Sequence, residues 1–286
     1  MHLCGRNARP RMPRRWAPLA FPSRIEDAYR GFAKQKHAQM DPLGYYFLVA
    51  WCLAAAARYG SLLTSWQQAT VAGLAAAALT AAALQQLAPA AYLRHRNPIV
   101  CGLRLAMTIA AAVTQPLAVQ ASWHSSATDV WAFVLLHGGQ HLLLAFCTFA
   151  WRLRAQWHLP LQLACICVAA AGNGRLVAAL LAAPGAASTV ACSMAALWPA
   201  AEAAVSPATA IAALCTVLQV QLGFHAPSSL LVAAEVSERA DFLSAYMLQT
   251  AASFQSGSYA LGMRQASRSD GSLDRLMQRL AAKPSA

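Results

Sequence analysis

Apolar residues fall along this chain in long runs separated by short polar breaks, and the runs govern how every other feature reads. One of them, Val130 to Trp151, is 22 residues without a formal charge. At about 1.5 Å per helical residue it would reach roughly 33 Å, the thickness of a bilayer's hydrocarbon core. A loop without Lys or Arg (ASWHSSATD) precedes it, Arg152 and Arg154 follow it, and Trp131 and Trp151 stand at its ends. Amphipathic rings prefer the headgroup level and Lys and Arg the cytoplasmic side. The pattern predicts a membrane-crossing helix here and five more: Leu43 to about Thr64, Ala69 to about Ala91, Ile99 to Gln120, Leu159 to about Ala183, and Pro207 or Ala208 to about Phe224.

Polar interruptions refine these spans. Arg58 lies near the outer end of the first, where its stem can reach the interface. Asn97-Pro98 reads as the turn between the second and third. Arg104 falls near the inner headgroups, and Pro116 should kink the third span. Ala186 to Ala204, bounded by Pro184-Gly185, Pro199 and Glu202, is too short to cross and reads as an external interfacial or re-entrant loop.

Outside the spans the pattern changes. Residues 1–23 form a basic tail with five arginines, four prolines and no acid. Such a start also permits organelle targeting. Residues 24–41 read as a juxtamembrane amphipathic helix, with Ile25, Tyr29 and Phe32 at helical spacing. The six-helix domain covers 42–227, a post-membrane helix 228–254, a linker 255–271, and a short amphipathic helix 272–286. A helix that short needs a partner surface.

Composition agrees: 58% of residues are hydrophobic and 11% charged, against about 25% charged in soluble chains. The expected fold class is all-α, a polytopic membrane protein of six transmembrane helices with cytoplasmic amphipathic helices. A net charge of +12 would suggest nucleic acid on a soluble protein. Here nine of the 22 Lys and Arg precede residue 40, three lie at 94, 96 and 104, two at 152 and 154, and six after 238. That segregation reads as topology, with both termini cytoplasmic in a plasma membrane or endomembrane, or an organelle membrane if the tail targets one. The bilayer itself is the expected partner, with a cytoplasmic protein or self-association for the terminal helices and no nucleic acid.

Chemistry is sparse. The cysteines sit mostly in apolar runs and read as packing residues. No phosphate loop, dinucleotide fingerprint, nucleophile elbow or carboxylate pair is present. His137 and His141, with Gln140 beside the latter, would share one face of the organising helix at i and i+4. The spacing suits a metal or haem, yet no acidic residue lies in the neighbouring spans and a third ligand would have to be His124, His225 or a cysteine, while Gly138-Gly139 suggests a close helix crossing with histidines bonded across it. Asn173 and Arg175 in the fifth span complete a candidate intramembrane polar site with His137, Gln140 and His141. Either Arg175 reaches the interface or the helix breaks around a polar cavity. No enzyme activity and no cofactor are expected.

A basic amphipathic helix ending in Asp41, six spans, the turn WHLPLQLA and the pattern Glu235, Arg239, Phe242, Leu243 after the last span come in that order. This layout resembles the six-helix membrane module that precedes class III nucleotide cyclases in green algae and bacteria. The resemblance covers residues 24–249 and implies a sensory or regulatory module whose post-membrane helix transmits a signal. No cyclase sequence follows in the roughly 45 residues after that pattern, as a shortened gene model of a larger protein would also give. Two other readings stay open: a small transporter or channel using Asn173, Arg175, His137 and Gln140, and a membrane metal or haem redox protein.

Overall fold

The computed structural model describes residues 21–122, 131, 133–135, 140–197 and 205–255. The basic tail before Phe21, His137, the linker beyond Gln255 and the final helix lie outside them. The described residues are all-helical, without a strand. The helices are α1 (Ser23–Ala38), α2 (Asp41–Tyr59), α3 (Ser65–Leu87), α4 (Pro89–Ser122), α5 (His141–Ala150), α6 (Ala155–Ala182), α7 (Ala186–Leu197) and α8 (Pro207–Leu218). A π-helical stretch, Gln219–His225, continues α8 into α9 (Ala226–Gln255).

Among the described residues five helical stretches are long and apolar enough to cross a membrane: Ile25–Tyr59, Ser65–Leu87, Pro89–Leu117, Ala155–Ala182 and Pro207–Leu248. They match the expected spans one, two, three, five and six in place. The expected fourth does not run as one helix. Gln140 takes a left-handed backbone (φ 49°), so the α-helix containing His141 begins there and has ten residues, about 15 Å. The reading of Val130 to Trp151 as one uninterrupted helix is therefore corrected at Gln140; the pairing of His141 with His137 on one helix face lies outside the described residues.

A second correction concerns the turn between the second and third spans. The chain turns at Ala88 (φ −141°, ψ 64°) and Pro89, not at Asn97-Pro98. Proline in a helix's first turn costs no hydrogen bond, so Pro89 is well placed to start α4. Pro98 lies inside α4 and leaves the carbonyl of Arg94 without its usual donor. Lys34 Nζ donates to that carbonyl at 3.2 Å. Residues 186–197, read as a loop, are helical as α7, too short at about 18 Å to cross.

Local chemistry sets the helix ends. Thr64 and Gln67 form a capping box at the start of α3. Ser206 accepts from the Thr209 N–H before Pro207 opens α8. Within α1 the buried stripe is Ile25, Tyr29, Ala33 and His37, one residue every turn, whereas Phe32 is exposed. Helix α1 thus packs on protein through Tyr29, with Arg154 over the Tyr29 ring at 5.7 Å.

One apolar core joins α2, α3 and α4 through Tyr45, Leu48, Ala78, Val100 and Met107, with Trp151 and Leu153. A second joins Leu176, Val177 and Leu180 of α6 to Val190, Ile211 and Cys215. Alanine supplies much of the contact surface of α3, where close approach substitutes for large side chains. Two glycines allow tight contacts. A Cβ on Gly44 would stand 2.2 Å from Trp151 Nε1, and one on Gly223 would stand 2.9 Å from Leu144 Cδ1. The close approach to α5 is thus made by the glycine of the π-helical stretch. By contacts the chain forms two units, one through Glu235 and the other from Val236 onward. In the second, Phe242 and Tyr246 pack ring to ring at 5.9 Å.

Candidate functional site: a polar seam inside the bundle

Helix α4 carries one buried polar residue after another on the side that faces the other helices: Arg96, Arg104, Thr108, Thr114 and Gln115. Arg96 and Arg104 are eight residues apart, two helical turns, and so share a face. Both guanidinium groups are 1% exposed. In an apolar setting each needs partners, and the two are satisfied in different ways.

Arg96 has a carboxylate. Asp41, fully buried in the first turn of α2, receives Arg96 Nε at 2.6 Å and Nη2 at 2.7 Å, a bidentate pair. Tyr92 Oη donates to the same carboxylate, and the Tyr92 and Tyr45 hydroxyls lie 2.6 Å apart. Nη2 also donates to the Arg152 carbonyl at 2.8 Å, tying the segment after α5 to α4. Asp41 at a helix N-terminus gains from the backbone dipole as well.

Arg104 has only neutral partners among the described residues. Nη1 meets His158 Nδ1 at 3.3 Å, and Nη2 donates to Thr148 Oγ1 at 3.4 Å and to Gln162 Oε1. Because a guanidinium can only donate, His158 Nδ1 must accept. The ring is then neutral with its proton on Nε2, which donates to Ser228 Oγ at 3.0 Å. Gln162 Nε2 donates to the Gly223 carbonyl in the π-helical stretch. Four elements, α4, α5, α6 and the run from Gln219 through Ser228, meet at this cluster.

The third cluster gathers segments far apart in the chain. Arg154, the residue before α6, is ion-paired with Glu26 of α1, and its Nε lies 3.8 Å from Glu235 Oε1. Glu235 Oε2 accepts the backbone N–H of Ala155 at 2.7 Å, so a carboxylate from α9 caps the N-terminus of α6. Further along α6, Asn173 and Gln219 exchange amide hydrogen bonds of 3.1 and 2.9 Å. Helix α6 thus meets the final helical run through Ala155, His158, Gln162 and Asn173.

The residues singled out from sequence scatter across this seam. Asn173 is buried in the amide pair, but Arg175, two residues on and therefore on the other side of α6, is exposed. Gln140 is buried and donates to Gln115 Oε1 at 3.0 Å; His141 is buried, its Nδ1 lacking a partner among the described residues. No group of three metal-binding side chains occurs among the described residues. Glu235 joins the third cluster, and Phe242 and Leu243 are half-buried on α9, where Arg239 is buried.

Asp41, Tyr92, Arg96, Arg104, His158 and Gln162 carry the seam but were not candidates from sequence. The one signal present was the recurrence of Arg96 and Arg104 at helical spacing. No family model matches the chain, and no curated protein or solved structure matches it.

Proposed function

We propose that this chain is a multi-pass membrane protein of sensory or regulatory type, without catalytic activity of its own, that couples a six-span membrane module to cytoplasmic helices. Both termini lie in the cytoplasm of a plasma membrane or endomembrane. The observation that carries the reading is the junction at Arg154 and Ala155, where Glu26 of α1 and Glu235 of α9 meet the start of α6. A change in the tilt or register of α6 must alter what both flanking helices hold. The resemblance to the membrane module of class III cyclases supports the same role for the post-membrane helix, with a cytoplasmic protein or a second copy as its partner.

One observation favours a small transporter or channel as the second reading. Arg104 is buried with neutral partners alone among the described residues, and charges held inside a membrane bundle mark ion and substrate paths. Anion and solute flux into liposomes separates the two. The regulatory reading expects no flux above protein-free vesicles; flux abolished by Arg104→Gln would replace it with the transport reading. Cysteine labelling should reach 121–129 and 184–204 from outside and 152–158 from the cytoplasm; labelling of 184–204 from the cytoplasm would remove the six-span topology.

A further inference from the structure

A groove of about 680 Å³ opens between α2, α4 and α5. Much of its lining is apolar: Phe47, Trp51 and Phe146, with Leu142 and Leu143. The Phe47 and Phe146 rings stand 4.0 Å apart between centroids and close one side. Thr114, Gln115 and Gln140 also line it, and Arg58 and Tyr59 at the end of α2 complete the lining. An apolar cleft of this size with a few converging polar groups is the form that small-molecule sites take.

Gln140 is the decisive residue. It is 5% exposed, its Nε2 is spent on Gln115 Oε1, and its Oε1 is buried without a partner among the described residues. Its backbone is fixed in the left-handed region at the start of α5, and its carbonyl accepts the Leu144 N–H at 2.9 Å. A buried acceptor left open asks for a donor.

We propose that this groove binds an uncharged, membrane-soluble lipid alcohol, with a fused-ring or isoprenoid body between the aromatic walls and its hydroxyl donating to Gln140 Oε1. A carboxylate would set acceptor against acceptor at Gln140, so a fatty acid would have to anchor on Arg58 at the end of the lining and leave Gln140 Oε1 open. A hydroxyl supplies the missing donor, and an apolar body matches the wall. The site goes beyond the regulatory reading, and binding is measured by itself, so its failure would leave the Arg154 junction untouched.

The test uses the full chain in phosphatidylcholine nanodiscs with a diazirine-bearing sterol as photoprobe. Saturable labelling is expected on peptides spanning 47–59, 111–117 or 140–146, competed by free sterol and not by its methyl ether, which has the same body and no donor. Gln140→Leu should weaken labelling about fivefold, the factor one ordinary hydrogen bond confers. Ala54→Trp, which fills the groove from an exposed position, should abolish it. Leu79→Trp, on an exposed face of α3, should leave it unchanged. Ala54→Trp keeps the test decisive if Gln140→Leu fails to fold. Labelling that does not saturate, that the methyl ether competes equally, that a fatty-acid probe displaces, or that Ala54→Trp leaves intact would overturn the proposal.

Discussion

Glu235 Oε2 accepts the backbone N–H of Ala155 at 2.7 Å, across 80 residues of chain, and the other oxygen of the same carboxylate faces Arg154. One acid on the last helix thereby fixes both the first free N–H of α6 and the guanidinium that α1 also holds. The relationship makes α6 the shaft between two cytoplasmic helices in the regulatory reading.

Removing the arginine should therefore cost more than removing either acid. Arg154→Ala leaves two carboxylates at a low-exposure site without their shared counterion, and breaking such a pair costs about 3–5 kcal/mol. Glu235→Gln keeps an acceptor for Ala155 and should cost about 1–2 kcal/mol. Thermal unfolding in detergent measures both. Equal losses would mean that the cluster is solvated and contributes little.

Asp41→Asn should destabilise by about 3–5 kcal/mol, because it strands Arg96 without its bidentate carboxylate. Arg96→Lys should rescue little of the structure, since an ammonium cannot form the two parallel bonds. The paired change Asp41→Leu with Arg96→Met should cost less than either single removal, as a buried ion pair replaced as a unit often does. A double variant whose loss equals the sum of the singles would show that the two residues act independently.

Gly44→Ala places a methyl group 2.2 Å from Trp151 Nε1, closer than atoms can pack. The indole must leave its place against Tyr45, whose ring centroid it meets at 5.8 Å. A loss of about 1–3 kcal/mol is expected, with a blue-to-red shift in tryptophan emission as the ring meets a new environment. Trp151→Leu should recover part of the Gly44→Ala loss, and a failure to do so would place the clash elsewhere.

His141 has a buried Nδ1 without a partner among the described residues. His141→Leu should therefore change stability by about 1 kcal/mol or less, since apolar replacement removes a desolvated group as well as any bond made by Nε2. Purified protein analysed for zinc, copper, iron and a Soret band tests the redox alternative directly. Stoichiometric metal lost in His141→Leu would overturn the packing role.

Five of the helical stretches were legible because a run of apolar residues is a cumulative signal, insensitive to any one position. The break at Gln140 was not, because a left-handed backbone is one residue's geometry and the surrounding sequence is as apolar as a continuous span. The turn was misplaced from Ala88-Pro89 to Asn97-Pro98 because both contain proline. The helical backbone of α4 runs through Pro98, and Lys34 serves the carbonyl that this proline orphans. The seam was hidden for a further reason. Arg96, Arg104 and Arg154 already have a reading as charges in the expected topology, so nothing in their order betrays that Asp41, Gln162 and Glu26, distant in the chain, partner them.

In the regulatory reading the membrane module and the flanking helices move as one through α6. Spin labels at Gln35 on α1 and Ala233 on α9, both exposed, with the native cysteines replaced, report the distance across the Arg154 junction. Gln219→Ala removes the amide pair with Asn173, at the start of the π-helical stretch and far from both labels along α6. The account predicts that this variant, still folded in nanodiscs, shifts or broadens the distance distribution between the two labels, as Arg154→Ala does. A distribution that changes in Arg154→Ala but is superimposable on the wild type in Gln219→Ala would contradict it.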